Sequence, residues 1–305
     1  MLIVAMTGGL GNQMYQYAVG RALALKKNQR LILDFGGIEI DPNPTKFDIE
    51  VVKFKLSKDA WKISNIFVSR CVRGVLKLIS LLPFCGNFYK IIREKEDFIF
   101  KSEIFEADSQ NIFMNGCWQS FKYFKGIESE LLCDFESTFP LSDESKVFLA
   151  QIKSSKSVSV HVRRGDFHTK TGVRNPKVFL FDEPSYYASA AKIIHEKLGS
   201  DVNFFIFSND IPWARKHVLV GENVVYVDCN DGSRSFEDFM LMASCQHSVI
   251  AASTFSWWAA WLASNGGREE RDSVVIAPST WWYGISSHYP ENLDHYPDDW
   301  VIIEC

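Results

Sequence analysis

LIVAMTGGLGNQMYQYAVGRALALKKNQRLIL, residues 2–33, changes its periodicity twice. Leu2 to Ala5 is an uninterrupted apolar run, the mark of a strand buried on both faces. Thr7-Gly8-Gly9-Leu10-Gly11 breaks the run, and Met14, Ala18, Ala22 and Leu25 then recur at helical spacing. Leu31 to Leu33 resumes a strand. Strand, tight turn, helix and strand in about thirty residues make a βαβ unit.

The second half of the chain repeats this alternation. Strands are expected at Ser157–Val162, Asn203–Phe207, Val224–Val227, Ser248–Ala251 and Val274–Ile276. Helices are expected between them at Ser185–Leu198, Phe236–Cys245 and Phe255–Ala263. Ser235 with Asp238 has the spacing of a capping box, and Gly266 stands where a glycine ends a helix. Such alternation implies a doubly wound parallel sheet with ligands at the carboxyl ends of its strands. The polar stretch Ser142–Ser157 is taken as the boundary, giving domains of residues 1–150 and 151–305.

Composition narrows the function. The chain of 305 residues is 47% hydrophobic and 23% charged, with a net charge of −4. That balance gives no general attraction to nucleic acid, so an anion site would have to be local. Seven cysteines include no C-x-x-C pair and make an odd number, which fits reduced thiols better than a zinc ribbon or a disulfide framework. The N-terminal MLIVAMTGGLGNQ lacks a basic leader region and a cleavage site, and no run of about 20 apolar residues occurs. A cytoplasmic protein is the expectation.

Four motifs carry chemistry. In TGGLGNQ (7–13), Gly9 would let backbone approach a ligand at a helix N-terminus, and Asn12 and Gln13 offer amides to hydroxyls or phosphate oxygens; a bare glycine turn is the competing reading. In SVHVRRGDF (159–167), Arg163 and Arg164 present planar forks that match phosphate, and Asp166 would brace one of them. The competing reading is a structural Arg–Asp pair. His161 shares a strand face with Arg163. In SND (208–210), Asp210 would accept from a nucleotide's ring nitrogens or ribose, or cap a helix ahead of Pro212. In SVIAASTFSWWAAWLA (248–263), Ser253 and Thr254 open a helix whose N–H groups would cradle a diphosphate, or merely cap it. No D-x-D occurs, so no metal site is expected; arginine and helix dipoles would neutralise the phosphates instead.

Residues 53–95 carry ten Lys and Arg against two acidic residues, with Ile63, Phe67, Val72, Val75, Leu76, Ile79 and Leu82 interleaved. Either the apolar face packs on the domain, or the segment lies on an anionic membrane surface.

TGGLGNQMYQYA, GCWQSFKYF (116–124), SVHVRRGDF, FIFSND and CQHSVIAASTFSWWAAWL, in this order, resemble the bacterial α-1,2-fucosyltransferases of glycosyltransferase family 11. The resemblance implies a GT-B fold, two Rossmann-like domains facing a cleft, with an acceptor-side N-terminal domain and a C-terminal domain that holds GDP-fucose. It implies an inverting, metal-independent enzyme without a cofactor, acting on the 2-hydroxyl of a galactose-containing oligosaccharide. A lipid-linked acceptor in O-antigen synthesis would give the basic segment 53–95 a reason for peripheral contact with the inner membrane. It further implies that Arg163 and Arg164 bind the diphosphate beside Ser253, Thr254 and Phe255. His161 and Asp210 would read guanine or ribose, and Asn12 would lie near the scissile bond. Asp166 is the nearest carboxylate for a general base. One departure is Ala252, where the family pattern has asparagine. A carbohydrate-binding module using the tryptophans of 257–261 and 281–283 is the rival from another class. A dehydrogenase would need G-x-G-x-x-G, which is absent.

Overall fold

The computed structural model describes residues 1–40, 48–82, 88–95, 98–164, 184–266, 273–279 and 294–304. Its contacts divide the chain into two compact units, Met1–Phe139 with Glu291–Pro297, and Pro140–Pro290 with Asp298–Cys305.

The first unit is built on a five-stranded sheet. In chain order its strands are β1 (Leu2–Ala5), β2 (Leu31–Asp34), β3 (Trp61–Ile63), β4 (Tyr89–Arg93) and β5 (Asn111–Asn115), arranged β3-β2-β1-β5-β4. Every pairing is parallel. Every residue of β1 and β2 is buried, which explains their unbroken apolar sequences. Helix α1 (Leu10–Lys27) follows β1 and is itself largely buried. It ends on Asn28, whose left-handed backbone (φ 48°) lets its N–H close on Ala24 and Leu25 carbonyls. Helix α2 (Ile66–Ile79) packs Leu76 and Val72 on a cluster of Ile3, Ile32 and Phe113. Helix α3 (Glu128–Asp134) brings the Asp134 carboxylate to the Tyr17 hydroxyl (2.7 Å) and Arg21 (2.9 Å).

The second unit carries six parallel strands: β6 (Ser157–Val162), β7 (Asn203–Ser208), β8 (Val224–Val227), β9 (His247–Val249), β10 (Val275–Pro278) and β11 (Val301–Ile303). Their order is β11-β10-β9-β6-β7-β8. The chain runs outward from β6 on one side, then returns to the other side of it with β9. That is the Rossmann order, and the β6/β9 junction is its topological switch point. Among the described residues five helices accompany the sheet: α4 (Asp143–Lys153), α5 (Pro184–Leu198), α6 (Ile211–His217), α7 (Ser235–Ser244) and α8 (Thr254–Asn265). The core gathers Val158, Val160 and Val162 of β6 with Tyr187 and Ile194 of α5 and Ile206 of β7.

Several expectations need correction. The polar stretch 142–157 is no linker: most of it is α4, capped by the Ser142 hydroxyl on Ser145 N (3.3 Å). Ser145, Phe148, Leu149 and Ile152 recur at helical spacing and are its least exposed residues, a short stripe that the polar residues on either side obscure. The 150/151 division therefore falls inside a helix of the second unit. The Ser235–Asp238 capping box does not form, because the helix begins at Ser235 with Arg234 in the cap position. Asp238 instead accepts from Asn230 Nδ2 at 2.7 Å. Gly266 does occupy the C-cap of α8. In segment 53–95, Ile63, Val72 and Leu76 pack on the domain, whereas Phe67, Val75 and Leu82 are exposed.

Candidate functional site

Three loops leave the carboxyl ends of β6, β7 and β9 and meet at two arginines. Arg163 directly follows β6, and its Nη1 donates to Ser253 Oγ over 2.9 Å. Ser253 is the N-cap of α8 and is buried. Its hydroxyl makes no capping bond to the first turn of that helix and serves the guanidinium instead. The helix start is held from within: Trp257 N donates to Ser253 O (3.0 Å), and the Ser256 hydroxyl donates to Ser253 O and Ala251 O. Arg163 thus stands beside the positive end of a twelve-residue helix at the switch point of the sheet.

Arg164 faces the other neighbour, β7. Its backbone N donates to Asn209 Oδ1 (2.8 Å) and its Nη1 pairs with Asp210 Oδ2 (2.6 Å). The guanidinium also stacks over the Trp213 ring, 4.2 Å from its centroid. Asp210 has two structural duties at once, since its other oxygen caps α6 by accepting from Trp213 N at 3.1 Å. Asp210 thus makes the cap that one of its two readings expects. Arg164 and Asp210 form an Arg–Asp pair; the pair expected with Asp166 lies outside the described residues.

His161 is buried within β6 and its ring lies against Phe255, centroids 5.7 Å apart. Phe255 in turn meets Phe239 edge-on at 5.3 Å. Burial, reinforced by the charge of Arg163, pushes the imidazole pKa down to about 3, so the ring is neutral at physiological pH. Among the described residues its Nδ1 finds no hydrogen-bond partner. Thr254 is the first residue of α8 and Phe255 the second. Ala252, where the family pattern has asparagine, packs its methyl on the core of the sheet.

The first unit has its own switch point, between β1 and β5. Gly8 there has φ +71°, and a Cβ on it would meet Asn12 Nδ2 at 2.5 Å, so both the turn and the amide beside it require glycine. Asn12 Oδ1 accepts from Gln119 Nε2 at 2.9 Å, joining the first turn of α1 to the loop after β5. Gly9 is the N-cap of α1 in extended conformation. Gln13, expected to meet the donor, is fully buried and its amide is committed to the fold. It donates to Gly8 O and Asp48 O and accepts from Glu50 N and Val51 N. Asn12 and Gln13 belong to the first unit and Arg163, Arg164, Asp210 and Ser253 to the second.

Sequence reasoning missed residues that hold these loops. Gln16 accepts from Thr7 N and donates to Gly116 O. Glu94 receives Cys117 N and Trp118 N, fixing Trp118 in a left-handed conformation (φ 58°). Asn209 lay within the quoted SND, and Gln119 within GCWQSFKYF; neighbours inside a motif were the available signal. The tryptophan rival fares badly, because Trp257, Trp258 and Trp261 are all buried and offer no sugar-stacking face; 281–283 lie outside the described residues.

A profile of glycosyl transferase family 11 matches residues 1–304, and with them every motif above. The chain belongs to glycosyl transferase family 11. An α-1,2-colitosyltransferase of Escherichia coli is 29% identical, with all of this chain and 99% of that one covered. The O-antigen biosynthesis glycosyltransferase WbnK of Escherichia coli is 27% identical over 92% of this chain and 94% of its own. Among solved structures, a mutant of Arabidopsis thaliana FUT1 in complex with GDP superposes with a TM-score of 0.53 at 12% identity, covering 86% of this chain and 68% of that one. The family 11 chain accordingly has the expected GT-B class of fold, with two parallel Rossmann-like sheets. Among its described residues no helix is long and apolar enough to cross a membrane.

Proposed function

We propose that this family 11 protein transfers L-fucose from GDP-β-L-fucose to the 2-hydroxyl of a galactose-containing acceptor, with inversion and without a metal. The observation that carries the reading is Arg163 bonded to the cap residue of α8 at the switch point of a Rossmann sheet. A guanidinium and a ring of helix N–H groups at one point suit a diphosphate. In the reaction the acceptor oxygen forms a bond to C1 as the bond from C1 to the diphosphate oxygen breaks. GDP departs with both bonding electrons, and Arg163 opposes its growing charge. Electrostatic help of this kind is worth about 3–4 kcal/mol. The acceptor's proton passes to a base, for which Asp166 is our candidate. Arg164, held by Asp210 and Trp213, would add charge to the same site, with neutral His161 and Phe255 beside it. Asn12 would serve the transferred sugar from the first unit. The O-antigen relative favours an acceptor from O-antigen synthesis; we take it to be a lipid-linked repeat unit met on the cytoplasmic face of the inner membrane.

A second donor has a specific observation in its favour, the α-1,2-colitosyltransferase relative. Colitose is the 3-deoxy form of L-fucose. A site that hydrogen-bonds the 3-hydroxyl rejects the deoxy sugar by about ten-thousandfold, whereas a site shaped for the deoxy sugar rejects fucose by only about a hundredfold. Turnover of GDP-fucose and GDP-colitose with a panel of β-galactosides, followed by linkage analysis, therefore tests the proposal. Strong preference for GDP-fucose and an α-1,2 product are expected. A preference for GDP-colitose, or a different linkage, overturns the fucosyl assignment.

A further inference from the structure

Helix α2 is apolar on two faces. Ser69, Val72 and Leu76 turn toward the sheet. Phe67, Cys71, Val75 and Leu78 follow one another at helical spacing on the opposite side, where Phe67 is 73% and Leu78 67% exposed. Leu81, just beyond the helix, is 72% exposed. A helix that served only to cover the sheet would carry polar groups there. Its N-terminus is firmly made, with Asn65 accepting from Phe67 N and Val68 N, so the exposed face belongs to an ordered element.

The edge strands extend the same surface. Ile63 of β3 packs on the cluster beneath α2, so Trp61, two residues before it, points to the same side and is 56% exposed. Arg30 lies over that indole at 4.2 Å. On the opposite edge Tyr89 of β4 faces the cluster, which turns Ile91 and Arg93 the same way, both exposed. Charge completes the pattern. Between Asp59 and Glu94 the sequence has no acidic residue and six basic ones, in a chain whose net charge is −4. Arg70 and Lys77 flank the apolar stripe and are exposed, while Arg73 turns inward to Asp34.

We infer that the outer face of α2, with the edges at β3 and β4, docks on an anionic lipid surface. Phe67, Leu78 and Trp61 would enter the headgroup boundary and Arg70, Lys77 and Arg93 would meet the lipid phosphates. A second copy of the chain is a poorer occupant. In a two-fold dimer this patch would face itself and set Arg70 and Lys77 against like charges, with no carboxylate in residues 60–93 to separate them. The inference stands apart from the identity of the donor sugar, since it uses none of the residues placed at the nucleotide site.

Co-sedimentation of the full chain with vesicles tests it. Binding is expected to vesicles of equal parts phosphatidylcholine and phosphatidylglycerol, weakening as salt rises, and not to phosphatidylcholine alone. Arg70→Gln with Lys77→Gln should weaken binding about fivefold for each cation removed. Phe67→Ser with Leu78→Ser should weaken it at least tenfold, and the exposure of both positions leaves the fold intact, as circular dichroism would verify. No binding to the anionic vesicles, or binding that these variants leave unchanged, overturns the inference. So does a dimer in sedimentation velocity that Phe67→Ser dissociates, since the face would then belong to a second copy.

Discussion

Arg163 reaches Ser253 across ninety residues of sequence, and the hydrogen bond between them ties the ends of the two strands that flank the switch point of the second sheet. The serine orients a guanidinium where most serines in its place would cap a helix. That choice leaves the arginine fork aimed by a neutral partner. Lysine at 163 would keep the charge and lose the fork, so GDP-sugar turnover should fall by at least about a hundredfold while the thermal midpoint stays near that of the unaltered protein. Ser253→Ala should cost about tenfold in turnover. Combined with Arg163→Lys it should add little, because both changes remove one interaction. Full additivity in that cycle would show that the two residues act separately.

Asp210 separates charge from capping. Asp210→Asn keeps an acceptor for Trp213 N and loses only the ion pair with Arg164, which is partly exposed; a stability loss below about 1 kcal/mol is expected. Asp210→Ala removes the cap as well and should cost about 1–2 kcal/mol. Both should raise the KM for the donor, since Arg164 loses its anchor. Chemical denaturation alongside donor saturation curves distinguishes the two effects.

His161, buried, and Asp238, half-buried, give stability opposite dependences on pH. His161 titrates at about 3 in the fold against 6.5 for a free imidazole, so only the unfolded chain takes its proton as pH falls below about 6.5, and stability is lost from there toward 3. Asp238 is pushed up from 3.8 to about 7, mainly by burial, with Glu237 adding repulsion. Only the unfolded chain releases that proton between about 4 and 7, so Asp238 makes stability fall as pH rises through that range. Asp238→Asn keeps the acceptor for Asn230 and should raise stability at mildly alkaline pH while leaving it unchanged at pH near 4. Urea denaturation of both proteins across about pH 4 to 8 reads the difference.

Treatment with EDTA should leave turnover unchanged. The sequence has no D-x-D to bridge a diphosphate through a divalent ion, and two arginines and a helix N-terminus stand at the site proposed for the diphosphate. Loss of activity on chelation, restored by Mg²⁺ or Mn²⁺, would refute the arginine-based account.

What the sequence disclosed tracks what is buried. The fully buried β1, β2 and β6 announce themselves as apolar runs, and the residues around Arg163 fall at strand ends because the alternation of elements puts them there. Short edge strands do not: WKI of β3 and YKIIR of β4 each turn a single residue into the cluster, Ile63 and Tyr89, too few to print a period in the sequence. Helix α4 does carry a stripe, Phe148, Leu149 and Ile152, but it is short and set among polar residues on both sides. Partnerships were harder still. That Arg164 chooses Asp210, or that the Gln13 amide is absorbed by the chain around Glu50, depends on loops brought together by the sheet order, which no local window contains.

The chain crosses between its two units three times, at Phe139/Pro140, Pro290/Glu291 and Pro297/Asp298. The returning stretch is firmly seated: His295 Nδ1 lies 3.1 Å from Gln119 O, and Asp294 accepts from Phe100 N and pairs with Lys122. The strand after it closes the edge of the other sheet, with Trp300 against Trp257. A chimaera that exchanges one half with a relative at a single junction would therefore place a foreign plug beside Gln119 or a foreign border on β10. Recombinants of this architecture need all three seams moved together, and their C-termini inherited with them.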